Sequence, residues 1–238
     1  MRTENLQRLA DTNITRFNKY FLHYHPFHRD LQAAIKNYAK GKVLDIGCGN
    51  KPYEKEFGIQ IIEYIGCDII QSDLNKVDVL CPANNIPLKN SSFDTVFSTQ
   101  TIEHVEDHQG LVNEAFRLLK PGGFFIVSGP MYWHLHEEPY DFFRFTKYGF
   151  TYILEKAGFE IVKINSNGGI WATTGQSLIH SFMYSKSKHF FIRTSRFLFN
   201  QLRLHWFINS FFSWIDKVDY NPVNTMNYVV IGRKPLNH

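Results

Sequence analysis

Long apolar runs are missing from this 238-residue chain, and so is any abundance of cysteine. The longest uncharged run in its most aromatic region, Leu204 to Ile215, is 12 residues and includes His205, Asn209 and two serines, against the ~20 apolar residues that a membrane-spanning helix needs. Residues 1–13, MRTENLQRLADTN, carry charge and no apolar segment, so no secretory signal is expected and the protein is expected in the cytosol. Three cysteines, Cys48, Cys67 and Cys81, do not make a disulfide framework and read as reduced, inert thiols in or beside strands. Acids are absent from Ile161 through Ile215, where Lys163, Lys186, Lys188, Arg193, Arg196 and Arg203 give +6; against +4 for the whole chain, the rest therefore carries −2. What is plentiful is core material. At 44% hydrophobic and 16% aromatic content, a chain of this length buries a full core as one domain.

The chain is organised around Val43 to Asn50, VLDIGCGN. Val43, Leu44 and Ile46 make the apolar run of a buried parallel strand, and Gly47 and Gly49 then remove two side chains where the backbone must turn. Bare peptide groups at such a turn can lie against a ligand and donate their amides to it. A nicotinamide dinucleotide fingerprint would need a third glycine where Pro52 stands, and Asp45 at the strand end would repel a diphosphate but favour a cation. Ile61 to Asp68 reads as the second strand, ending in a carboxylate 21 residues after Gly47, the spacing at which an acid accepts from ribose hydroxyls. Val77 to Cys81, Phe93 to Thr99 and Phe124 to Val127 read as strands three to five. A helix with the apolar face Leu111, Ala115, Leu118 and Leu119 ends at Lys120-Pro121-Gly122-Gly123. Thr146 is placed to cap a helix with core face Phe150, Ile153, Leu154 and Ala157, stopped by Gly158. Phe159 to Ile164 and Tyr228 to Ile231 supply the last two strands.

Residues 1–40 read as two helices, one with Leu6, Leu9, Ala10 and Phe17 on a face, the other with Leu31, Ala34, Ile35 and Tyr38 before Gly41. Between them FLHYHPFHR reads as a surface or lid loop, because Pro26 interrupts a helical register. His23, His25 and His28 in that loop have no Cys or carboxylate beside them at ligand spacing, so no metal is expected there.

In order and at matching spacing, VLDIGCGN, the acid ending the second strand, SFD, EHVED and LLKPGG span residues 42–130 and resemble the class I S-adenosylmethionine-dependent methyltransferases of the type 11 family. The resemblance implies a Rossmann-like α/β fold: a seven-stranded, mostly parallel sheet in the order 3-2-1-4-5-7-6, the last strand antiparallel, flanked by helices. It implies a single domain with an N-terminal helical segment (1–40), a cofactor-binding core (41–170), a helical aromatic and basic insertion (172–222) and a last strand (223–238). The implied cofactor is S-adenosylmethionine, which carries an ammonium and a sulfonium and no phosphate. Its implied contacts are Asp45, Gly47, Cys48, Gly49, Asp68, Ile69, Ala83, Asn84, Thr99 and Gln100. The family's adenine loop has an aspartate where this chain has Pro82, which leaves adenine to the Ala83 amide and the Asn84 side chain.

Ligands of open α/β sheets sit beyond the C-terminal strand ends. His104 follows the fourth strand and His136 the fifth, and either is a candidate base for an acceptor that must lose a proton. His134 and His136 are set aside as a metal pair, because displacement from a sulfonium needs no metal, and no metal site is expected. Tyr140, Asp141 and Arg144, in HEEPYDFFRF, read as an acceptor-site wall, with Asp141 and Arg144 equally readable as a structural ion pair. HEEPYDFFRFTKYGF and the later Asn167 to Gly169 resemble bacterial methyltransferases of cell-envelope glycan or lipid-linked sugar pathways, which implies a hydroxyl acceptor. The alternatives are C- or N-methylation of a quinone, lipid or small nucleophile, or a non-catalytic S-adenosylmethionine-binding protein. A nucleic-acid substrate is not expected, since QTIE and no Asn/Asp-Pro-Pro-Tyr string follows the fourth strand. Residues 186–215 set nine aromatics among five basic residues and no acids. Two readings stay open for them: peripheral contact with the inner face of a membrane, or a helical cover that buries its aromatics on the body or in a dimer.

Overall fold

The computed structural model describes residues 13–236. Seven strands form one sheet, β1 (Gly41–Ile46), β2 (Ile61–Asp68), β3 (Val79–Leu80), β4 (Phe93–Thr99), β5 (Leu119–Pro130), β6 (Glu160–Asn167) and β7 (Asn227–Arg233). Their order is β3-β2-β1-β4-β5-β7-β6, as expected. β1, β2, β3, β4 and β5 pair in parallel, whereas β7 runs antiparallel to both β5 and β6. β2 and β4 match their sequence boundaries, β3 is a two-residue remnant of its apolar run, and β5 starts five residues earlier than expected, at Leu119.

Side-chain alternation divides the core between the two faces of the sheet. Val43, Phe97, Ile126, Val229 and Ile231 face α1 (Phe21–Tyr38) through Phe27, Leu31, Ala34 and Ile35. Leu44, Ile46, Val96, Phe125, Val127 and Val230 face α2 (His108–Leu118) and α3 (Lys147–Lys156). The caps follow the sequence logic, since Asp107 accepts from the Gly110 amide and Thr146 from the Gly149 amide. α4 (Ile170–Tyr184), α5 (Phe190–Gln201) and α6 (His205–Val218) precede β7 and pack against the start of α1 through Phe21, Leu22, Ile179 and Phe199.

The N-terminal part departs from the sequence reading. The face containing Leu6, Leu9 and Ala10 lies outside the described residues, and Phe17 sits exposed in a turn. FLHYHPFHR is no loop: α1 runs straight through it, with Pro26 inside the helix and Phe21, Leu22, His23, Phe27 and His28 buried. Proline in a helix interior costs about 3 kcal/mol. Burying three large apolar side chains, at roughly 1.5–3 kcal/mol each, exceeds that. Periodicity therefore outweighed the breaker, and α1 packs along β5, β6 and β7.

Candidate active site

A cavity of about 960 Å³ opens beyond the C-terminal ends of β1, β2, β4 and β5. That volume is at the upper end for small-molecule sites and accommodates two ligands side by side. At one end the β1 turn sets its floor. Gly47 has φ +76°, and a Cβ there would lie 2.3 Å from the Thr101 side chain, so glycine is required twice over. The expectation that this turn offers its amides to a ligand is corrected by the geometry. The Gly47 and Cys48 amides both donate to the Cys67 carbonyl, at 2.8 and 3.1 Å, and the Gly49 amide donates to Asp68 Oδ2 at 3.1 Å. These bonds lock the turn to the end of β2. What faces the cavity instead is a pair of carboxylates.

Asp68 is fixed from both sides, its Oδ1 accepting from the Ile69 amide at 2.7 Å. Asp45 is buried and accepts from the Tyr64 hydroxyl at 2.7 Å. Burial, with the nearby Asp68 charge adding to it and the Tyr64 bond opposing it, raises the Asp45 pKa to about 7. Two buried carboxylates beside one cavity call for a cationic ligand, and an ammonium with a sulfonium meets that demand where a pyrophosphate would worsen it. Cys48 lines the same end as an inert thiol, its pKa pushed up by burial. Ile69, Ala83, Asn84, Thr99 and Gln100 also line the cavity. The Asn84 side-chain amide donates to Asp107 Oδ2 at 2.9 Å, so it braces the loop to the cap of α2.

The other end is built from β4, β5 and α1. His104 leaves β4 on a short 3-10 turn, Ile102–His104, and His136 follows β5; their rings are 4.7 Å apart between centroids. Tyr140 also lines this end, with its carbonyl accepting from His104 Nδ1 at 2.8 Å. Asp141 and Arg144 stand behind the wall. Their ion pair is bidentate, at 2.6 and 2.7 Å, with the Asp141 side chain only 2% exposed. Burial acts to raise the Asp141 pKa, but the Arg144 bonds, the His136 amide and the two neighbouring charges together bring it down to about 2. Asp141 Oδ2 accepts from the His136 amide at 3.0 Å, so the pair anchors the loop that carries His136.

Sequence reasoning missed several residues here. Tyr20 and Tyr24 reach the cavity from α1 and the turn before it, and Trp133 from the β5 loop; His23 and His134, weighed in the sequence only as metal ligands, line it as well. His23 is buried against Trp133, with ring centroids 3.9 Å apart, and burial lowers its pKa well below the usual range. The signal was present as the i, i+3, i+4, i+7 spacing of Tyr20, His23, Tyr24 and Phe27. Glu103 was also passed over, and it is wholly buried beside His104.

Sheet order, glycine turn and paired carboxylates define the class I S-adenosylmethionine-dependent methyltransferase architecture. Residues 44–127 match the family model of a methyltransferase domain. A Mycolicibacterium smegmatis protein named as an S-adenosylmethionine-dependent methyltransferase is 32% identical over 138 residues, 50% of this chain and 52% of that protein. A ubiquinone biosynthesis O-methyltransferase of Bartonella tribocorum is 24% identical over 114 residues, 43% of this chain and 46% of its own length. The chain thus spans about half the length of these curated relatives. A Bacillus halodurans C-125 methyltransferase of known crystal structure shares the fold at 17% identity, with a TM-score of 0.53 over 87% of this chain and 98% of that one. Over residues 44–127 this chain is similar to methyltransferase domains, and its sheet has the class I S-adenosylmethionine-dependent methyltransferase fold.

Proposed function

We propose that the protein is an O-methyltransferase, which moves the methyl group of S-adenosylmethionine to a hydroxyl of a glycan, a lipid-linked sugar or another small molecule. The observation that carries the reading is that one cavity joins the Asp45 and Asp68 carboxylates to the His104 and His136 imidazoles. S-adenosylmethionine supplies a methyl carbon already activated by its sulfonium. The protein's share is alignment, worth about 7–11 kcal/mol when reacting atoms are held in line. Asp45 and Asp68 hold the cationic partner at one end, while the aromatic residues Tyr20, Tyr24, Trp133 and Tyr140 line the other, where the acceptor sits. A hydroxyl must also lose its proton, and His104 and His136 stand at that end to promote the loss.

The same reading includes a membrane surface as the place of work. No helix among the described residues is long and apolar enough to cross a membrane. Of the nine aromatics in residues 186–215, Phe190, Phe191, Phe197, Phe207, Phe211 and Trp214 are 52–71% exposed, and only Phe199 is fully buried. Phe207, Phe211, Trp214 and Val218 form one exposed stripe along α6. Exposed Lys186, Lys188, Arg193 and Arg203 accompany them. Each basic side chain near an anionic leaflet adds about 1 kcal/mol, and inserted rings add to that.

The test of the reaction is transfer from methyl-labelled S-adenosylmethionine to glycan and lipid fractions, with the product bond assigned by NMR. A methyl ether is expected. Label on carbon or nitrogen, or no transfer from a cofactor that binds, defeats the hydroxyl assignment.

A further inference from the structure

Glu103 is a buried carboxyl group whose nearest compensation is the charge of Arg144. It is wholly buried, and neither carboxyl oxygen meets a hydrogen-bond donor among the described residues. Interiors seldom hold such a group without a cation or a donor, so its retention needs a partner of that kind.

The neighbours are two imidazoles in matching states. His104 Nδ1 lies 2.8 Å from the Tyr140 carbonyl, which can only accept, so Nδ1 carries a proton and the neutral ring presents its lone pair at Nε2. His136 Nδ1 lies 3.2 Å from both the His134 carbonyl and Asp141 Oδ2, again two acceptors, and the same tautomer follows. His104 Nε2 is 3.9 Å from Glu103 Oε1 and 3.8 Å from Glu137 Oε2. One ligand atom from each of Glu103, His104 and His136 lies within 4.8 Å of the others. Donors at about 2.0–2.2 Å from a tetrahedral ion stand about 3.4 Å apart, so binding would draw these three together by up to about 1.4 Å. A histidine whose far nitrogen is tied to a carbonyl or carboxylate is the usual outer support of a metal ligand. Asp141 gives His136 that support, and Arg144 keeps Asp141 charged.

We propose that Glu103, His104 and His136 form a site for one divalent transition-metal cation of the zinc or manganese type, with Glu137 beside it as a further oxygen donor. Two imidazoles with a carboxylate suit those ions, whereas magnesium and calcium take shells of oxygen. The site faces the acceptor end of the cavity, where an ion binds an acceptor oxygen and stabilises its deprotonated form. With the ion in place the imidazoles act as ligands and not as bases. The proposal goes beyond the methyl-transfer reading: the binding of the ion stands whatever the acceptor is, and its effect on the chemistry rests on that acceptor being a hydroxyl.

The test titrates chelator-treated full-length protein with Co²⁺, followed by visible absorption, and measures S-adenosylmethionine binding on the same samples by calorimetry. One Co²⁺ per chain is expected. Glu103→Gln and His136→Asn should each weaken it at least tenfold, while the exposed and distant His189→Asn leaves it unchanged. Retained S-adenosylmethionine binding certifies that a variant is folded, and if Glu103→Gln fails that check, His136→Asn decides alone. Absence of saturable Co²⁺ binding, or binding that both variants leave unchanged, overturns the metal site. Loss of S-adenosylmethionine binding in the unaltered protein would instead strike the methyltransferase reading.

Discussion

Replacing Asp45 by Asn should move stability and cofactor affinity in opposite directions. In the ligand-free fold, burial raises the Asp45 pKa from 3.8 to about 7. A carboxyl raised in this way binds its proton more tightly folded than unfolded, so stability falls as pH climbs from about 4 to about 7 and stays low above. At 1.36 kcal/mol per pH unit, holding the charged form costs about 4 kcal/mol at pH 8. A bound cation reverses this preference, because it favours the carboxylate. If only the ionised form binds, about a tenth of the protein is competent at pH 6 and about nine tenths at pH 8, so affinity for S-adenosylmethionine rises about tenfold across that range. Calorimetry in buffers of different ionisation heat should show close to one proton released on binding at pH 6. Asp45→Asn should abolish that slope, stabilise the ligand-free protein against urea at pH 8, and still bind the cofactor at least about tenfold more weakly, since a charge-assisted contact is worth about 1.5–3 kcal/mol. A flat profile for the unaltered protein, or a variant that keeps both slope and affinity, refutes the reasoning.

Other perturbations probe the remaining parts of the site. Asp68→Ala removes the acceptor that holds the Gly49 and Ile69 amides, and should lower S-adenosylmethionine affinity at least about tenfold by calorimetry, with NAD binding to neither form. His104→Asn or His136→Asn should lower turnover about a hundredfold while cofactor affinity holds; full turnover in both would remove the pair from the chemistry. Arg144→Ala leaves Asp141 buried without its cation and should cost about 3 kcal/mol in urea denaturation, whereas a loss below about 1 kcal/mol would mark the pair as dispensable. In flotation, the protein should rise with anionic vesicles at low salt and release at high salt, and Phe207→Asp with Phe211→Asp should abolish it; indifference to vesicle charge would return α5 and α6 to a packing role.

The sequence by itself determined the sheet and the cofactor end of the cavity. Strand identity is a short-range matter: apolar runs such as VLDI and FDTVFST, the first ended by Gly47 and Gly49 at positive φ, leave little choice of element, while the strand order came from the family resemblance. Asp45 and Asp68 were legible for the same reason, since each ends a strand and parallel pairing puts strand ends side by side. Only the tertiary structure decided the other end. Whether a proline ends a helix depends on what the helix buries, and α1 continues through Pro26 because its aromatics cover the sheet. Whether an amide serves a ligand depends on nearby carbonyls, and the Cys67 carbonyl claims two in the glycine turn. Whether a charged pair lines a wall or props it depends on depth, and Arg144 and Asp141 lie behind it. Glu103 shows the limit most plainly: in the string TIEH it is one more helix-forming acid, and its interest comes wholly from a burial in which neither oxygen has a hydrogen-bond partner among the described residues, a property that no spacing in sequence encodes.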